Sequence, residues 1–179
     1  MFEAGFRATQ SLIFQNLISA GHDVSDGGLI TTLLEMAFSG NCGLSANIPC
    51  SGDVLSEDKK AIQTLFAEEL GLILEVRNCD VDTVVEIYRE AAVPCCVIGK
   101  TGSVGESGFV SLSVDGAAVL EDKMVDLRDI WEATSFQLER FQTNPHCVAE
   151  EEAGLRGRKA PPYKITFEIT PPKDLDTGK

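Results

Sequence analysis

No stretch of about 18 consecutive apolar residues occurs anywhere in the 179-residue chain, so no membrane-spanning helix is expected. The first residues, MFEAGFRATQ, lack the basic start and continuous apolar run of a secretory signal. A soluble, cytoplasmic protein is the expectation. Basic residues are also scarce, 15 Lys and Arg against 28 Asp and Glu, for a net charge of −13. A surface with that balance repels phosphate backbones and anionic lipid, so neither nucleic acid nor a membrane is an expected partner. Only two histidines are present, His22 and His146, and no pair among the six cysteines has C-x-x-C spacing. Zinc centres and redox dithiols therefore lack support, and reduced structural thiols are expected. There is no G-x-S-x-G, no P-loop, no G-x-G-x-x-G and no His-Glu-x-x-His, which leaves nucleophile-elbow hydrolases, Walker ATPases, Rossmann enzymes and zincins without a motif.

What is present is enough apolar material, 44% of residues, to enclose one core. Apolar residues at helical spacing predict a helix over 6–19, with Phe6, Ile13 and Leu17 as its stripe, and a second, largely buried helix over 29–39. Gly40 and Asn41 supply its left-handed stop, after which Leu44, Ala46 and Ile48 alternate as a strand does. Residues 50–57 read as a loop, 58–69 as a helix, 71–76 as a strand, 80–92 as a helix and 95–99 as a strand. Residues 109–120 read as a hairpin turning at Asp115-Gly116, with Val110, Leu112 and Val114 inward. A long helix over 125–142 carries Leu127, Ile130, Trp131, Leu138 and Phe141 on one side, and Asn144-Pro145 separates it from a last helix to about Leu155. Strands interleaved with helices and closed by a hairpin predict an α+β fold, a mixed sheet layered with helices. From 154 on, six Lys or Arg face three Asp or Glu and four of the seven prolines collect. The expected division is a domain over 1–157 and a Pro-rich linker over 158–179.

The stretch most informative for chemistry is His22-Asp23-Val24-Ser25-Asp26-Gly27-Gly28-Leu29, expected between two helices and opening the second. Two carboxylates and a hydroxyl within four residues offer the hard oxygens Mg²⁺ accepts, commonly with phosphate completing its shell. Gly27 and Gly28 allow close backbone approach, and a helix start favours an anion. The same residues suit a plain structural role, with Ser25 or Asp26 as N-cap, Asp-Gly-Gly as a turn and His22 merely packed. A second acidic pair, Glu68-Glu69, stands where a helix hands over to a buried strand, a place for a site or for solvated charge.

Two segments, GHDVSDGGLITTLLEMAFSGNCGL and LFAEELGLILEV, closely resemble the C-terminal domain shared by aminoimidazole ribonucleotide synthetase and its relatives. The helix WEATSFQLERFQTNPHCVAEEE more narrowly resembles the end of the second such domain in the long-chain phosphoribosylformylglycinamidine synthases. The resemblance runs from about Gly5 to Leu155. It implies that fold, and a share in the ATP- and glutamine-dependent ligation that converts formylglycinamide ribonucleotide to its amidine in purine synthesis. It further implies Asp23 as a Mg²⁺ ligand and Ser25 as a contact of ATP or ADP, in a site whose nucleotide is structural. His22, Asp26, Gly27, Gly28, Glu68 and Glu69 stand around it. The implied partners are N-terminal-type synthetase domains and a glutaminase domain of the same polypeptide, toward which the Pro-rich residues would connect. No cysteine stands in the setting of a glutaminase nucleophile, so the chain by itself is expected to be inactive. The alternatives are another ATP-dependent enzyme of the superfamily, or a non-catalytic assembly module that keeps the fold.

Overall fold

The computed structural model describes residues 1–50, 56–158 and 166. The elements in chain order are α1 (Phe2–Phe14), β1 (Ala20–Val24), α2 (Gly28–Gly40), β2 (Cys42–Ile48), α3 (Glu57–Phe66), β3 (Gly71–Glu75), α4 (Val81–Glu90), β4 (Gly99–Val104), β5 (Phe109–Val114), β6 (Ala117–Lys123), α5 (Met124–Gln142) and α6 (Pro145–Arg156). The expected α+β architecture is there, with one addition. Besides a four-stranded mixed sheet in the order β4-β2-β5-β6, β1 and β3 form a separate antiparallel ribbon. In the large sheet β2 and β5 run parallel and the outer pairs antiparallel.

The large core lies on one face of the four-stranded sheet. Leu44, Ala46 and Ile48 of β2 and Val110, Leu112 and Val114 of β5 meet Leu33, Ala37 and Phe38 of α2, Leu65 of α3 and Met124 and Val125 of α5. The period of two that marked these strands is the period with which they are buried. Asp115 (φ 50°) and Gly116 (φ 86°) make the tight turn from β5 to β6 with the two positive φ values of a type I′ hairpin, as Asp-Gly favours. Asn41 at φ 48° ends α2 as expected.

A smaller core gathers Ala8 and Leu12 of α1 with Val84 and Tyr88 of α4. Leu12 is fully buried, whereas Phe6 and Ile13 stand more than half exposed, so the stripe expected on the first helix is rotated. Thr9 shares this core through a 2.7 Å hydrogen bond between its hydroxyl and that of Tyr88, and its hydroxyl lies 2.8 Å from the Gly5 carbonyl oxygen. The ribbon joins the two cores: Ile73 of β3 packs on the large one and its neighbour Leu74 on the small one.

The strand expected at 95–99 is displaced. Residues 93–98 have no regular structure, and β4 begins at Gly99, where an added Cβ would come within 2.2 Å of the Ser45 carbonyl oxygen. Close pairing with β2 selects glycine over the apolar run before it. Cys95 and Cys96 are both exposed.

Helices α5 and α6 form a hairpin. Asn144 caps α6 by accepting from the His146 N–H, and Arg156 pairs with Asp126 and Asp129 and Arg140 with Glu152 across the helices. Arg128, almost wholly buried, donates to the Asn41 side-chain carbonyl at 2.8 Å and to the Leu155 carbonyl at 2.9 Å. Of the apolar side expected to pack, Leu127 lies against the large core and the Trp131 ring centroid is 6.3 Å from that of Phe38, whereas Ile130 is 74% exposed and Phe141 88%. The loop expected over 50–57 falls largely, and the linker over 158–179 almost wholly, outside the described residues.

Candidate functional site

His22 and Asp23 lie in strand β1, not in a loop between helices. The strand puts them on opposite faces of the ribbon, which decides their surroundings. Asp23 stands opposite Leu72, and Gly21 opposite Leu74. These four residues, with Thr9, Ile13 and Ile18, border an open groove of about 400 Å³ between the ribbon and α1. The Asp23 side chain is 71% exposed, and the His22 ring lies 3.5 Å away. His22 turns toward α2, where its Nε2 lies 3.3 Å from the Glu35 carboxylate, while Nδ1 lies 2.8 Å from the Asp23 carbonyl oxygen. Both ring nitrogens are engaged, which makes His22 a contact between strand and helix.

After β1 the chain turns sharply into α2. The Gly28 N–H donates to the Ser25 carbonyl at 2.9 Å, and Gly27 (φ 82°) and Gly28 (φ 73°) take the left-handed conformations that open the helix. Gly27 is the N-cap position and no side chain caps it, so neither Ser25 nor Asp26 plays the structural part open to it. An added Cβ at Gly28 would fall 2.7 to 2.8 Å from backbone atoms of Leu65 and Phe66. One at Gly27 would fall 2.3 Å from the Thr31 hydroxyl. Both glycines are thus required by the packing of the protein on itself. Thr32, buried, donates from its hydroxyl to the carbonyls of Asp23 and Gly28, which ties the end of β1 to the first turn of α2.

The residues singled out from sequence converge in part. Glu68 reaches the turn, its Oε1 accepting the Gly27 N–H at 2.9 Å across 41 residues of sequence. Ser25, Asp26 and Glu69 are exposed, and no side-chain hydrogen bond of theirs is found among the described residues. Glu35 belongs to the group and had no signal of its own. It reads as an ordinary helix-surface acid until β1 brings His22 beside it.

Asp23 and Ser25 have the donor chemistry that suits a hard cation and phosphate, but they do not complete a site. Among the described residues, no group of three or more His, Cys, Asp or Glu side chains is placed to hold a metal ion. Mg²⁺ with nucleotide would thus find here one exposed carboxylate and one hydroxyl beside a helix start, with the other ligands supplied from elsewhere. Burial pushes the Cys42 thiol above its usual range, with Glu75 adding to the effect, opposite to the shift of an activated thiolate.

The model of the AIR synthase related protein C-terminal domain family matches residues 3–111, more than half of the chain. The chain belongs to that family. The match takes in both acidic segments and ends inside β5, so the α5–α6 hairpin lies beyond this part of the AIR synthase related domain. Phosphoribosylformylglycinamidine synthase of Homo sapiens is 52% identical over 159 residues, covering 88% of this chain and 11% of the relative. The probable chloroplastic/mitochondrial phosphoribosylformylglycinamidine synthase of Arabidopsis thaliana is 45% identical, covering 90% of this chain and again 11% of the relative. The chain thus spans about one-ninth of the length of these curated relatives. Among solved structures, T. maritima PurL complexed with ADP superposes with a TM-score of 0.54 at 15% identity, over 66% of this chain and 20% of that one. At that identity the likeness establishes the fold, and it is the AIR synthase related fold expected from sequence.

Proposed function

We propose that the chain is one domain of a phosphoribosylformylglycinamidine synthase, and that Asp23 and Ser25 supply one side of a Mg²⁺–nucleotide site completed by other domains of the same polypeptide. The observation that carries this is the position of Asp23, an exposed carboxylate at the end of β1, immediately before the left-handed turn that opens α2. It is supported by the names of the 52% and 45% identical relatives and by the ADP with which T. maritima PurL, sharing the fold, is complexed. In this reading Asp23 offers oxygen to the cation, the Ser25 hydroxyl donates to a phosphate oxygen, and the start of α2 favours the remaining negative charge. A bound Mg²⁺–nucleotide supplies cross-domain ion pairing and, where it is turned over, the phosphoryl group that activates an amide oxygen. The nucleotide held by this domain is structural. Turnover, with ammonia released from glutamine by a glutaminase domain, belongs to other parts of the polypeptide. Residues 1–157 form the domain, 158–179 the connector toward that glutaminase, and the enzyme works in the cytoplasm.

The test compares wild type with Asp23→Asn in the full-length polypeptide, measuring nucleotide retained through purification and melting temperature. Loss of nucleotide with a lower melting temperature is expected, because a ligand bound only to the native state stabilises it by mass action. Equal occupancy in the two proteins would overturn the reading. It would favour an assembly module, for which the exposed apolar residues of α5 speak, Ile130 and Phe141 with Leu138 at 57%.

A further inference from the structure

The acid that touches the turn most directly is not Asp23 but Glu68, and its contact is with backbone. Its carboxylate accepts the N–H of Gly27, the residue whose left-handed conformation reverses the chain between Ser25 and α2. One step further on, Gly28 lies so close to the backbone of Leu65 and Phe66 that no side chain fits between them. The last turn of α3 and the residues after it therefore form a wall, and the Ser25–Gly28 turn is pressed against it at two successive positions. We propose that Glu68 is a positioning residue. By holding the Gly27 amide it fixes the turn to the end of α3, and so sets the direction in which Asp23 and Ser25 present their oxygens.

This deepens the nucleotide reading and rests on it. It also assigns Glu68 a part other than that of a metal ligand, because what the contact needs is an acceptor oxygen and not a negative charge. Glutamine keeps such an oxygen at the same reach; alanine does not.

The experiment uses the full-length polypeptide, titrated with ADP in the presence of MgCl₂, and compares Glu68→Ala, Glu68→Gln and Asp23→Asn with wild type. Hydrogen exchange of the Gly27–Gly28 segment is followed without nucleotide. Glu68→Ala is expected to weaken ADP about tenfold and to speed exchange of that segment by a similar factor, the scale of one lost hydrogen bond. Glu68→Gln is expected to stay within about twofold of wild type in both. Loss in Gln as large as in Ala would overturn the proposal in favour of a charge or ligand role, and so would unchanged exchange in Ala. Asp23→Asn separates the two levels. If it leaves ADP affinity unchanged, the nucleotide reading itself fails. If it weakens ADP while Glu68→Ala does not, the nucleotide reading stands and only the positioning role falls.

Discussion

The two cores of the domain are unequal. One is a sheet layer in which β2 and β5 alternate inward side chains against α2, α3 and α5. The other is a contact between α1 and α4 that relies on a few residues and contains a buried hydroxyl pair, Thr9 and Tyr88. The ribbon that carries Asp23 and His22 is bound to both, through Ile73 on one side and Leu74 on the other. The candidate site thus leans on the large core through Ile73 and borders, along the groove beside α1, the smaller of the two cores.

The comparison can be broken most forcefully in the large core. Leu112→Ala, at a side chain with no exposure, should cost about 2–5 kcal/mol and shift the urea midpoint of the whole domain. Leu12→Ala should fall near the lower end of that range, with amide exchange rising first in α1 and α4. Equal exchange throughout would show that the two cores open as one.

Gly28→Ala tests the joint between them. A Cβ at φ 73° meets the backbone of α3, and a strain of about 1–3 kcal/mol is expected in the urea midpoint. An unchanged midpoint would mean that the turn can move away from α3.

The smallest effect belongs to the small core. Burial holds the Tyr88 phenol above its ordinary value, with the Thr9 hydrogen bond opposing that shift. The native state therefore keeps this proton where the unfolded chain gives it up, and its stabilisation is complete below about pH 10 and lost as pH rises through the native value. Tyr88→Phe should cost about 1 kcal/mol at neutral pH. Its stability should also fall less steeply than that of wild type above about pH 10, measured by urea midpoints at successive pH values. Parallel curves would remove the phenol from the account.

What the sequence made legible follows the same division. The strand face of the large core was read residue by residue, because period-two burial in β2 and β5 and the Asp115-Gly116 turn are local signals; Phe38, Leu65, Met124 and Val125, which cover it, carried no such signal. Strand β1 was invisible: Ala-Gly-His-Asp-Val has no apolar alternation and is a strand through its pairing with β3. Losing it cost the placement of His22 and any sight of Glu35. Conversely, residues 95–99 read as a strand, yet the ladder to β2 begins only at Gly99 and takes the glycine-rich segment from there, because only glycine passes so close to Ser45. Along α5 the helical period was right, but periodicity reports which residues share a side and not what lies against that side.

Arg128 gives the domain one joint that does not answer to its chemical surroundings. The guanidinium holds the last turn of α6 to the end of α2 through an amide and a peptide carbonyl, neither of which gains or loses a proton. Burial lowers its pKa, but an arginine remains a cation throughout the range in which proteins are folded. The surface pairs of Arg156 with Asp126 and Asp129, and of Arg140 with Glu152, are screened by salt. Salt therefore loosens the contacts along the flank of α6 more than the buried one at its end.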